Sequence, residues 1–135
     1  MNAENKIIEL NWRTTLSTLW IFVFLNLIFK DIHGLFRTGF LEEIMSGTVD
    51  GVLITEELLL IFGILLEIPI AMVILSRVLK YRVNFWANSI ASVLMIVLLI
   101  DNGVADLDDI FFVTIQIIGL LAIIWYAWRW PKTNS

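Results

Sequence analysis

Residues 58–76 read LLLIFGILLEIPIAMVILS, an apolar run interrupted by one carboxylate, Glu67, and one proline, Pro69. A helix rising 1.5 Å per residue needs about 20 such residues to cross a hydrocarbon core of roughly 30 Å, and this run has that length. Its Leu and Ile are continuous, not alternating with polar residues as in a strand of a membrane barrel, so it predicts a transmembrane helix. Outward from it the same pattern recurs at Leu16–Phe36, Val83–Ile100 and Ile110–Trp128. The expected architecture is all-α: one transmembrane domain over residues 1–135, an integral membrane four-helix up-down bundle with spans at about 16–36, 58–76, 83–100 and 110–128.

Composition agrees and narrows the chemistry. Of 135 residues, 59% are hydrophobic and 16% charged, far from the usual balance of a water-soluble domain. The absence of cysteine excludes disulfides, thiolate metal sites, iron–sulfur clusters and dithiol relays, and one histidine cannot build an imidazole cage within one subunit. No cofactor and no metal are expected, and no Ser–His–Asp, paired-acid or metal-ligand spacing marks a catalytic residue. Glu4 and Glu9 lie ahead of the first span, where a signal peptide would carry a basic head, so that span is expected to remain in the mature protein.

Orientation follows from the short flanks. Lys6, Arg13, Arg77, Lys80, Arg82, Arg129 and Lys132 fall on one side and only Arg37 on the other, which predicts that both termini are cytoplasmic in the inner (plasma) membrane. Trp12, Tyr81, Trp86, Tyr126, Trp128 and Trp130 fall at that same boundary, where amphipathic rings sit among headgroups. The opposite loops hold the acids. Residues 39–45 read as a short interfacial helix closed by Gly47, Thr55 as the cap of the second span, and Asp106 with Asp109 as the cap of the fourth. These acids cap helix N-termini on a wet surface, or alternatively form a cation-attracting vestibule.

Within the spans, the ionisable residues carry the information. A Lys, Asp or Glu near a helix centre costs about 2.5–3.5 kcal/mol on insertion scales, so each needs a partner, water or a task. Asn26, Lys30 and His33, spaced by four and three, share one face of the first span, with Asp31 about 100° from Lys30. Glu67 falls at the midpoint of the second span. Pro69 frees the carbonyl of Leu65 beside it, and Gly63 and Ala71 flank it, so Glu67 is expected to point inward with Lys30 as its counter-charge. Asn84, Asn88 and Ser92 in the third span, and Thr114, Gln116 and Gly119 in the fourth, offer interior polar or small groups that also serve as interhelical glue. Asp31 and His33 stand two apart, about 200° on a helix, and cannot chelate one ion.

The stretches Asp31–Leu35 (DIHGL), Glu67–Arg82 (EIPIAMVILSRVLKYR), Asn84–Ile90 (NFWANSI) and Ile124–Pro131 (IWYAWRWP) resemble an uncharacterised family of small bacterial and archaeal four-helix membrane proteins. That resemblance covers nearly the whole chain and implies a shared four-helix fold but no activity. More remotely, the layout is similar to the DoxX-like group, some of whose members are linked to quinone or thiol redox partners; without cysteine a thiol role has no support.

Three functions of different class follow. The first is a small ion- or ligand-handling protein, with Glu67 as the switchable carboxylate and Lys30, Asn26, Asp31 and His33 as the ligand- or ion-binding set. The second is a structural or accessory subunit that docks a membrane-protein partner. The third is a membrane enzyme acting on a lipid or quinone, for which no catalytic pattern speaks. Expected partners are the lipid bilayer and either further copies of the chain or a membrane protein, with no nucleic acid.

Overall fold

A computed structural model describes residues 2–131, so Lys132 lies outside the described residues. The elements are α1 (Ala3–Gly34), α2 (Phe40–Ser46), β1 (Thr48–Val49), β2 (Val52–Leu53), α3 (Glu56–Val78), α4 (Tyr81–Asp101) and α5 (Leu107–Arg129). Four helices, α1, α3, α4 and α5, are long and apolar enough to cross a membrane. Each coincides with one expected span, apart from Leu35 and Phe36, which follow α1.

Helix α1 starts well ahead of its apolar stretch. Asn2 caps it by accepting from the Asn5 N–H at 2.8 Å, Glu4 sits in its first turn, and Arg13 pairs with Glu9 at 2.6 Å across one turn. The first 13 residues of α1 are thus a polar extension of the same helix. After α1, Gly39 and Gly47 take positive φ (83° and 82°) at the two ends of α2. The antiparallel β1–β2 pair turns through Asp50 and Gly51, both with positive φ, as a two-residue hairpin requires. Thr55 caps α3 as expected, accepting from the Leu58 N–H at 3.2 Å.

The long helices form a ring in which α1 packs on α3 and α5, and α4 packs mainly on α5; the α3–α4 contact is slight. Both termini and the α3–α4 turn lie at one end, here the terminal end, and α2, the hairpin and the α4–α5 connection lie at the other, the loop end. The core comprises Leu16, Trp20 and Val23 of α1, Met72 of α3, Met95 and Leu99 of α4, and Val113, Leu120 and Ile123 of α5. Gly119 lets α5 approach α1: a Cβ there would stand 2.9 Å from Val23 Cγ2 and 3.2 Å from the Phe22 ring. Helix α3 is the outlier, with 11% of its apolar window buried against 39% for α4.

Directed hydrogen bonds concentrate toward the terminal end. Asn88 Oδ1 accepts from Trp20 Nε1 at 2.7 Å and from the Ser76 hydroxyl at 3.2 Å, joining α1, α3 and α4. Its amide donates to the carbonyl and side-chain oxygens of Asn84, whose own amide donates to the Ser76 carbonyl at 2.7 Å. Beside this cluster the Ser17 hydroxyl donates to the Val73 carbonyl (2.8 Å) while accepting from Arg77 Nε (3.0 Å), and Arg13 Nη1 donates to the Arg77 carbonyl (2.8 Å). Aromatic contacts close the same end: Trp12 on Tyr126 (4.8 Å between centroids) and Tyr81 on Trp130 (5.4 Å).

Candidate functional site: carboxylates along α1 and α3

The face shared by Asn26, Lys30 and His33 turns toward α5, not α3. Lys30 Nζ lies 3.6 Å from Asp109 Oδ1, both side chains more than four-fifths buried, and the His33 ring packs on Phe112 at 5.1 Å between centroids. Asn26 spends its amide on its own helix, donating to the Phe22 carbonyl at 2.9 Å. The expected Lys30–Glu67 pair therefore does not form. Asp109 takes the lysine and, through its other oxygen, accepts from the Ala105 N–H at 3.1 Å just ahead of the helix, while Asp106 stands at the N-cap position and its side chain makes no cap bond, so the expected Asp106 cap is not made.

Glu67 is exposed on the outer face of α3 rather than pointing inward. The reason is rotation. Pro69, Met72 and Ser76 form the buried stripe of α3, and Glu67, two positions before Pro69, stands about 200° away from the prolyl side. Gly63, one turn further on that outer face, has open space around it. Gly63, of the two small residues flanking Glu67, lines a groove and not the bundle interior.

That groove, of about 530 Å³ between α1 and α3, is lined by Asp31 and Glu67 among Phe24, Ile28, Gly63 and Ile70. The hydrogen bonds of Ser17 to Val73 and Arg77 set the relative depth of the two antiparallel helices. On that scale Glu67 lies about 9 Å deeper in the membrane than Asp31. Neither carboxylate has a cationic group within 4 Å among the described residues. Asp31 also borders a second space of about 450 Å³, between α1, α3 and α4, where α3 and α4 part toward the loop end. Of the five residues picked out from sequence, the structure thus brings two, Asp31 and Glu67, into one groove and sends Lys30 and His33 to another side of α1.

Two features escaped the sequence reading. Asp109 reads as one more cap, although its depth beside Lys30 was open to inspection. Gln116, which reads as glue, is fully buried with neither amide atom hydrogen-bonded among the described residues, and the Ser92 hydroxyl is in the same condition. Among the described residues no cluster of three potential metal ligands occurs.

Four apolar helices of spanning length, closed into a ring around a buried core, define an all-α, multi-pass membrane protein. The chain belongs to the family described as Family of unknown function (DUF6326), whose model matches residues 5–135, in line with the resemblance drawn from its motifs. No curated protein and no solved structure matches it.

Proposed function

We propose that the protein binds, and in the membrane passes on, a small cation through Asp31 and Glu67. The observation that carries this is their placement: two carboxylates free of cationic partners among the described residues, set at successive depths along one groove. An ionisable group facing hydrocarbon is costly without a partner, and a cation that meets first Asp31 and then Glu67 supplies one. The Lys30 ammonium is engaged by Asp109 and lies within 4 Å of neither carboxylate. We infer that the termini are cytoplasmic in the inner membrane, because Arg13, Arg77, Lys80, Arg82 and Arg129 gather at the terminal end. The groove then begins, at Asp31, near the extracytoplasmic face.

Purified protein in liposomes tests this with protons, Na⁺ and K⁺ in turn, each driven by its own gradient and read with an entrapped indicator. Flux of one of these cations that falls in both Asp31→Asn and Glu67→Gln is the expected result. Flux equal in wild type and both variants would move the function elsewhere.

A second reading, a subunit that docks a membrane-protein partner, is favoured by the outer face of α3, where Gly63 and Glu67 stand uncovered. In that case Glu67 pairs with a basic residue of the partner helix, and Glu67→Gln abolishes co-purification without affecting flux.

A further inference from the structure

The space between α1, α3 and α4 has a chemistry different from that of the groove. It holds about 450 Å³, the size of a site for one drug-like molecule and not for a two-chained lipid. Its walls are apolar, including Leu27, Leu65, Met95 and Leu98, while Asp31 and Asp101 stand at its loop-end mouth. No lysine or arginine lines it, and the nearest in sequence, Lys30, is engaged with Asp109.

We propose that this cleft binds a single-tailed free amine, an amphiphile whose ammonium head carries no phosphate, with the head between Asp31 and Asp101 and the tail along the apolar walls. Charge selects the head. Two carboxylates without an intervening cation repel a sulfate or phosphate and favour an ammonium, an attraction strengthened by the low dielectric of the membrane boundary. Shape selects the tail, because the cleft runs from the mouth toward mid-membrane between α3 and α4, which barely touch there. Each methylene that enters should tighten binding about fourfold. This inference rests on the cation reading in using Asp31, but it adds Asp101 and a tail site in which Glu67 has no part.

The test is calorimetric titration of the full-length protein in neutral maltoside micelles with octyl- and decylammonium, each below its micellar concentration. Decyl sulfate serves as the anionic control, and Leu98→Trp, which fills the cleft, as the background for partitioning into the micelle. Saturable one-to-one binding of decylammonium is expected, about sixteenfold tighter than octylammonium and absent with decyl sulfate or Leu98→Trp. Asp31→Asn and Asp101→Asn should each weaken it at least tenfold, Asp101→Glu should retain it, and Glu67→Gln should leave it unchanged. No saturable component in the wild type, equal binding of decyl sulfate, or an unaltered Asp101→Asn would overturn the proposal. Displacement by an equal concentration of lysophosphatidylethanolamine would overturn the choice of a free amine over a lipid headgroup. The two proposals fail separately: Glu67→Gln affects only cation passage, and Asp101→Asn only the amphiphile.

Discussion

Replacing Asn88 with leucine keeps the number of side-chain heavy atoms and removes every polar contact it makes, so the loss reads the hydrogen bonds together with the strain of seating two bulkier methyl groups in a fully buried site. The indole N–H of Trp20, fully buried, loses its 2.7 Å acceptor. A buried donor left unsatisfied costs about 1–3 kcal/mol. The Ser76 hydroxyl, 3.2 Å from Asn88 Oδ1, can instead turn to a carbonyl one helical turn back and loses little. The side-chain oxygen of Asn84, one turn back on the same helix, loses a donor, worth about 1 kcal/mol for an ordinary hydrogen bond. Asn88→Leu should therefore destabilise the bundle by about 2–4 kcal/mol. Reversible unfolding by sodium dodecyl sulfate in mixed micelles, followed by tryptophan fluorescence, measures this directly. Asn26→Leu is the internal control: its amide reaches only the Phe22 carbonyl of its own helix, and its loss should stay within about 0.5 kcal/mol. Equal stability of the two variants would refute the assignment of the asparagine cluster as the bundle's main polar tie.

Gly119→Ala should cost about 1–3 kcal/mol by forcing α5 away from Val23 and Phe22, whereas Gly63→Ala, with open space around it, should be neutral or stabilising by up to about 1 kcal/mol; thermal unfolding in detergent compares them. Gln116→Leu should raise stability by about 1–2 kcal/mol in the same assay, because the amide it removes is buried without a partner among the described residues. A double-mutant cycle on Lys30→Met and Asp109→Asn should show coupling, and one on Lys30→Met and Glu67→Gln should be additive. Single cysteines at Asn2 and Ser46, probed in intact cells with an impermeant thiol reagent, should label only at Ser46; labelling at Asn2 would reverse the inferred orientation.

The spans were legible because hydropathy measures what a bilayer demands, about 20 apolar residues in a row. Hydropathy finds the crossing, however, and not the helix. The extension Ala3–Thr15 is held by a cap and an Arg13–Glu9 pair that an apolar window passes over. Helix rotation was less legible still. In water the apolar side of α3 would declare its inside, but lipid tails are as apolar as leucine, so Leu59 and Leu60 are as well placed outside as Met72 is inside. With that cue absent, Gly63 and Ala71 drew Glu67 inward on paper, whereas Pro69, Met72 and Ser76 hold the interior. Lys30 and His33 share a face, the one toward Asp109 and Phe112 of α5. Which neighbour it met depended on whether α3 or α5 stood opposite, and acids at accessible depth existed on both.

The turn between α3 and α4 has a mechanical corollary. Leu79 and Lys80 are both extended, and Asn84 holds the Ser76 carbonyl across the turn, so the two helices are pinned together there and touch little beyond it. A helix of 23 residues is a lever about 35 Å long. Pivoting it by about 5° at the pinned end displaces its far end by about 3 Å. Substitutions at Ser76 or Asn84 should therefore adjust the aperture beside Asp31 and Asp101 from the opposite end of the molecule without touching any residue that lines it.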